Sequence, residues 1–444
     1  MELFLSTKNN VEARKLKGFR DFLPKQAKLR LQIISEVNRQ AVIFGFTPVQ
    51  TPSLEYADVL LGSGGQETDK EVYRFSDHGK RDVALRFDLT VPFARFITEN
   101  FNELKMPFKR VQVGEVWRGE KPQKGRYRQF CQADFDIVGV DSYAADIEVI
   151  QILAACIEQL LPSSFTISLN DRSVLTGLIE NILKNDSKEL ENKVLIAIDK
   201  LDKIGENKVS KMITDLGFKE PNVLSLLETL TTSDPKTLKE KLVTHLGETH
   251  PGLEKLYNIY RTLNEVTNPE KCHIKISPST ARGLGYYTGV VFETTIDALP
   301  GFGSIASGGR YNDLVARFGK HDLSGVGGSI GVDRLLAALE ELKVTPAKES
   351  TSVYLAVVDE AARDYAFKLA NELRQYGISI HLNVKPSKLA QQFKHADHLG
   401  CEYVAMVGEE EFNKGTLSIK RMKDGEEKHH IELAEAKNLQ KIFS

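Results

Sequence analysis

Apolar residues recur at helical spacing directly after Pro24, at Ile33, Ile34, Val37, Ala41 and Val42, and the pattern predicts an amphipathic helix with proline at its first turn. Gly45, Pro48 and Pro52, set among β-branched neighbours, then mark extended segments, and this first region runs to about residue 169. From there the chain becomes rich in Leu, Lys and Glu, with Leu175, Leu178, Ile179 and Ile182 on one helical stripe. Strand signals are weak in this stretch, which predicts a helical insertion over about 171–270. Gly-rich turns and short strands return over about 272–342 and end in a helix. Beyond a polar linker at 345–351, the predicted order is strand 353–358, helix 361–376, strand 378–382, helix 387–399 and strand 403–407. Strands alternating with helices predict a small α/β domain with a largely parallel sheet over 352–444. The larger domain then covers 1–344, with the insertion inside it.

The segment 108–138 carries the clearest two-residue period. It reads as strand, polar loop, strand: FKRVQVGEVWRGE, KPQKGRY, RQFCQADFDIV. In the second strand Cys131, Ala133, Phe135 and Ile137 form an apolar face, while Arg128, Phe130, Gln132, Asp134 and Asp136 form the opposite one. The first strand brings Arg110, Gln112 and Arg118. A solvated hairpin face would alternate in the same way. The functional reading is the floor of a cleft whose arginines and carboxylates suit a ligand with both phosphates and an ammonium or imidazole group.

Composition first narrows the picture, and local charge then widens it. The chain has 444 residues with 59 Lys+Arg, 61 Asp+Glu and a formal net charge of -2, which excludes a polybasic protein. Between Lys105 and Arg128, however, eight basic residues face two acidic ones, Glu115 and Glu120. The loop there holds Lys121, Gln123, Lys124 and Arg126, a composition suited to phosphate contacts. The four cysteines are scattered, with no C-x-x-C pair, which fits a reducing compartment. The first 16 residues lack the apolar core of a secretory signal, and the apolar runs are strand-sized, so a cytoplasmic protein is expected.

Other segments add candidate chemistry. In RFDLT, Asp88 and Thr90 share a face if the segment is extended, and a carboxylate with a hydroxyl can hold an ammonium group. ARGLGYYTG joins Arg282 to Tyr286 and Tyr287 among glycines. In GVGGSIGVDRLLAAL, a glycine-rich strand leads into a helix whose first turn holds Asp333 and Arg334, and an arginine there is well placed for a phosphate. Walker A, G-x-G-x-x-G and kinase signatures are absent, and the His395/His398 and His429/His430 pairs lack partners for a metal site.

Taken in order, these segments resemble the class II aminoacyl-tRNA synthetases, and specifically the histidyl-tRNA synthetase family. GFTPVQTPSLE, with Pro52, resembles the first motif of that class, VWRGEKPQKGRYRQFCQADFDIVG the second and GVGGSIGVDRLLAAL the third. RFDLT and ARGLGYYTG resemble signatures of the histidyl enzymes. The resemblance implies an α/β fold with an α+β catalytic core: an antiparallel sheet with flanking helices, a helical insertion and a C-terminal α/β anticodon-binding domain. It also implies a homodimer, no membrane, and partners L-histidine, ATP with Mg²⁺, and tRNA(His), joined through a histidyl-adenylate.

Residue roles follow from the resemblance. Arg118 is expected at the α-phosphate and the histidine carboxylate, Phe130 stacked on adenine, and Gln132 at the amino acid's carboxylate or amino group. Asp88 and Thr90 would hold the ammonium, and Asp136 and Tyr287, with Tyr286 beside them, would read the imidazole. Arg282 would stabilise charge on the α-phosphate, Arg334 would meet the γ-phosphate and Glu120 would help to hold Mg²⁺. Gln123, Lys124 and Arg126 would approach the tRNA acceptor end. One departure is Gly285, at a position commonly acidic in the family. The alternative is a non-catalytic paralogue, the regulatory subunit of ATP phosphoribosyltransferase, which typically lacks the C-terminal domain and the catalytic arginine.

Overall fold

A computed structural model describes residues 11–61, 71–123, 125–283, 287–319, 323–346 and 352–436. The chain divides into two compact units, Met1–Pro346 and Ala347–Ser444.

The first unit is built on an eight-stranded sheet. In chain order its elements begin with helix α1 (Pro24–Ile43) and strand β1 (Thr47–Pro48). A small separate sheet follows, β2 (Leu54–Tyr56), β3 (Arg74–Ser76) and β4 (Asp82–Leu85), then helix α2 (Thr90–Glu99). The hairpin strands are β5 (Phe108–Trp117) and β6 (Gln129–Val138), followed by helix α3 (Tyr143–Leu160) and β7 (Phe165–Asp171). After the insertion come β8 (Cys272–Ile276), β9 (Val290–Ile296), β10 (Ala306–Arg310), β11 (Gly325–Gly331) and helix α4 (Val332–Glu341). The order across the large sheet is β1-β5-β6-β11-β10-β9-β7-β8. Its five central pairings, from β5 to β7, are antiparallel, and the two outer ones, β1–β5 and β7–β8, are parallel.

The alternation in β6 decides which face becomes core. Cys131, Ala133, Phe135 and Ile137 are buried in one cluster with Val149 and Leu153 of α3 and Ile33 and Val37 of α1. The other face carries the polar residues of the site. Close approach of β10 and β11 depends on glycine: a Cβ on Gly308 would lie 2.2 Å from the Gly327 carbonyl oxygen. The stretch between β7 and β8 holds seven helices, from Arg172–Leu183 to Pro251–Val266, and its predicted stripe of Leu175, Leu178, Ile179 and Ile182 is buried.

In the second unit β12 (Ser352–Val357), β13 (Ser379–Leu382) and β14 (Tyr403–Val407) pair in parallel in the order β13-β12-β14, as the alternating pattern predicts. The sheet continues with an antiparallel pair, β15 (Thr416–Arg421) and β16 (Glu427–Glu432), that the sequence reading did not include. In β16 only Ile431 is buried, so the edge strand has no apolar alternation to betray it.

Candidate active site

The polar face of the large sheet is ordered by strand register. Across β6 and β11, Gln132 stands opposite Gly331, Asp134 opposite Ser329 and Asp136 opposite Gly327. The middle row continues through Ser307 on β10 to Glu293 on β9. Directly opposite residues share a face, so Asp134, Ser329, Ser307 and Glu293 line up beneath one cleft.

That cleft has two chambers. The first, of about 430 Å³, is lined by Asp88, Thr90, Gln132, Asp134, Tyr287 and Tyr311, together with Glu71 and Asp199. The second, of about 270 Å³, is lined by Glu120, Arg126, Phe130, Asp333 and Arg334. Arg118, Gln132, Arg282, Ser307 and Ser329 border both. One chamber is therefore rich in carboxylates, the other in guanidinium groups, and two arginines stand where they join.

Burial opposes the ionisation of two carboxyl groups of the first chamber, Asp88 and Asp134. Burial raises Asp88 to about 6, although the Val91 N–H that it accepts, with Arg118 and Arg110 nearby, pulls the other way. Burial raises Asp134 to about 7 against the attraction of Arg110, with the Asp136 charge adding to the rise. Both groups pay a desolvation cost that a bound cation would offset.

In the second chamber the charge is reversed. Burial and then repulsion from Arg126 and Arg282 lower Arg334 to about 10, and its Nε has no hydrogen-bond partner. Arg334 also donates to the Phe302 carbonyl and lies 5.1 Å from that ring. Asp333 is committed elsewhere, to Arg20 at 2.6 Å and the Cys131 N–H at 2.6 Å. This chamber suits a polyanion.

The two arginines at the junction are fixed by different means. Arg118 follows β5, donates from Nε to the Phe87 carbonyl at 2.9 Å and lies 5.1 Å from the Phe130 ring. Arg282 donates from Nε to Glu293 Oε2 at 2.9 Å, and its Nη2 lies 2.7 Å from the same oxygen. Glu293 thus holds one edge of the guanidinium and leaves the other for a ligand.

Several residues singled out in the sequence do not line the chambers. Asp136 is one of them. Its Oδ1 accepts from the Tyr311 hydroxyl at 2.5 Å, and its Oδ2 is 2.8 Å from Arg110. Arg110 and Gln112 are likewise buried beneath the cleft. Gln123 and Arg126 exchange backbone hydrogen bonds in a turn, where Gln123 is exposed and lines neither chamber. Glu120 is 3.9 Å from Arg126. Lys124, Gly285 and Tyr286 lie outside the described residues. Among the described residues no cluster of three His, Cys, Asp or Glu could hold a metal ion.

The sequence reading missed Tyr311, Glu293, Asp199 and Glu71. Tyr311 was signalled only by the glycine pair before it, GGRY, which lets β10 approach its neighbours closely. Asp199 comes from the insertion, just after the helix Lys188–Ile198, and no local pattern links it to a cleft.

The comparisons with known proteins agree on one family. A family model described as Histidyl-tRNA synthetase matches residues 18–335, and one described as Anticodon binding domain matches residues 352–441. A Histidine--tRNA ligase of Wolinella succinogenes is 42% identical over 434 residues, covering 96% of this chain and 97% of the relative. One from Helicobacter hepaticus is 44% identical over 424 residues, covering 94% and 95%. The crystal structure of histidyl-tRNA synthetase from Nostoc sp. PCC 7120 superposes with a TM-score of 0.82 at 30% identity, covering 94% of this chain and 96% of that one. The oppositely charged chambers and these matches lead to one statement: the chain belongs to the histidyl-tRNA synthetase family.

Proposed function

We propose that the chain ligates L-histidine to tRNA(His) at the expense of ATP, through a histidyl-adenylate. The observation that carries this reading is the pair of joined chambers of opposite charge, with Arg118 and Arg282 on their common border. An amino acid in the carboxylate-rich chamber would present its own carboxylate to the junction. A nucleoside triphosphate in the arginine-rich chamber would bring its α-phosphate to the same place, with the base near Phe130 and the γ-phosphate near Arg334. The histidine carboxylate attacks the α-phosphorus, a P–O bond forms, and pyrophosphate leaves with the electron pair of the broken bond. The terminal ribose hydroxyl of the tRNA then attacks the adenylate carbonyl and AMP departs. Negative charge grows at the junction in both steps, and prepositioned arginines stabilise it without reorganising. Much of the remaining acceleration comes from alignment.

Glu120 is the chamber carboxylate available to a Mg²⁺ ion carried with ATP, since Asp333 is already engaged. Such an ion would neutralise phosphate charge when bound. Lys124, Gln123 and Arg126 form a basic loop suited to the acceptor end. Homodimerisation is supported by the small sheet, where Leu54, Tyr56 and Phe75 are exposed while Glu55 and Ala84 are buried. The four cysteines are unpaired, which suits a reducing cytoplasm, and among the described residues no helix is long and apolar enough to cross a membrane. The paralogous regulatory subunit is disfavoured by Arg282 at the junction and by the match of residues 352–441 to an anticodon-binding domain.

Exchange of labelled pyrophosphate into ATP, measured with each amino acid in turn, tests the proposal. Exchange is expected with histidine alone; exchange driven by another amino acid, or by none, would overturn it.

A further inference from the structure

The sheet face that carries the two chambers does not end at Glu293. The middle row passes from Glu293 on β9 to Ser168 on β7 and Lys275 on β8. These three residues line a third cavity of about 520 Å³, larger than the first chamber at about 430 Å³. Its other walls come from the insertion. Asp202 belongs to the helix Leu201–Ile204, Glu206 starts the helix Glu206–Thr214, and Tyr257 and Tyr260 lie on the helix Pro251–Val266. Apart from Glu293, no residue placed in the reaction lines this cavity.

Its lining favours an organic cation. Among the described residues three carboxylates, Asp202, Glu206 and Glu293, line it with one ammonium group, that of Lys275. No three such groups among the described residues converge as a metal ion requires. The Tyr257 and Tyr260 rings lie edge to face with centroids 6.4 Å apart, and Lys239 Nζ stands 5.4 Å from the Tyr257 ring, so this wall already carries one cation. The cavity also adjoins the reacting centre. Both contacts between Glu293 and Arg282 fall on Oε2. Asp199 borders the first chamber, while Asp202, three residues on, lines the third cavity. Burial works against the Arg282 charge, and Glu293, then Asp199 and Asp202, sustain it. The partition between the two spaces is thus made of groups that act on Arg282.

We propose that the third cavity binds a flat organic cation, an amidinium or guanidinium group on an aromatic body, and that the bound cation draws Glu293 off Arg282 and slows adenylate formation. The planar N–H fork of such a group matches a carboxylate edge to edge, as the Arg282 guanidinium does now. The aromatic body packs on the tyrosine wall. Binding stands apart from the proposed function, whereas the effect on adenylate formation rests on it.

Benzamidine is the probe, and benzamide is its neutral counterpart of the same shape. By calorimetry the full chain should bind benzamidine at least roughly tenfold more tightly than benzamide, the mark of a charge-assisted contact. Glu206 is exposed at the start of its helix, so Glu206→Gln keeps the fold. It should weaken benzamidine binding roughly threefold or more by removing one carboxylate of the lining. In histidine-dependent pyrophosphate exchange, benzamidine should lower kcat and compete with neither histidine nor ATP. A crystal structure with benzamidine should place an amidinium nitrogen within about 3.2 Å of a Glu293 oxygen. Equal affinity for the two probes, unchanged binding by Glu206→Gln, or a probe seated elsewhere would overturn the inference. So would competition with either substrate, which puts the probe in the chambers. Exchange by the unmodified protein without benzamidine is the control. Its absence overturns the proposed function and the effect on adenylate formation, while calorimetry and the crystal structure still decide the site. Exchange that persists undiminished with benzamidine bound overturns this inference alone.

Discussion

The carboxyl groups of Asp88 and Asp134 sit in surroundings that oppose their ionisation, and this links the site to the stability of the fold. Burial raises them to about 6 and about 7. Because both lie above the ordinary carboxyl range, folding favours the protonated form. Their favourable contribution is complete below about pH 4 and is lost progressively as pH rises from there through the raised values of about 6 and about 7. Asp134→Asn cannot ionise, so its stability should not fall over that window. At about pH 4 variant and wild type should unfold at nearly the same temperature. At pH 8 the variant should unfold about 2 °C or more higher, the shift of about 1 kcal/mol in a domain of this size. A gap of equal size at both pH values, read by calorimetry, would show that Asp134 remains ionised throughout.

At the scale of elements, the site is a consequence of register. Strands β6, β11, β10 and β9 bring Asp134, Ser329, Ser307 and Glu293 into one row, and Glu293 orients Arg282 through its Nε and Nη2. Glu293→Gln keeps the length of the side chain but weakens its grip on the guanidinium. Adenylate formation should slow roughly 10- to 100-fold, with KM for histidine little changed, because the loss is of transition-state alignment. Glu293→Asp should recover part of the rate. A kcat within about twofold of wild type in the Gln variant would mean that Arg282 needs no such support. The alternation of β6 was legible from residues 128–138 because a two-residue period separates Cys131, Ala133, Phe135 and Ile137 from their polar neighbours. Which polar residues line the cleft was not legible. Asp134 and Asp136 are equivalent in pattern, and only Tyr311, contributed from beyond β10, covers one of them. Asp199 was equally invisible, since its approach to the cleft depends on how the insertion helices pack.

For the whole molecule, the division of labour follows from where the cores lie. The clusters that build the second unit, around Val353, Leu355, Leu369 and Ile419 and around Tyr354 and Val404, contain only residues of that unit. The clusters of the first unit contain none of them. Units with separate cores can fold separately. Both chambers lie wholly in the first. A chain ending at residue 346 should therefore retain histidine-dependent pyrophosphate exchange within about threefold, because that half-reaction uses nothing beyond the chambers. Transfer to tRNA should fall much further, roughly 100-fold or more in kcat/KM, as contacts from residues 352–441 are lost. Salt gives an independent reading of the same separation. The net charge of -2 conceals the eight basic residues between Lys105 and Arg128, and phosphate contacts release counterions. Between about 50 and 200 mM salt, KM for tRNA should rise steeply in the full chain while exchange, which involves no tRNA, stays nearly level. If the shortened chain charged tRNA as well as the full one, the second unit would have no part in recognition. If exchange also collapsed, the first unit would depend on the second for its fold.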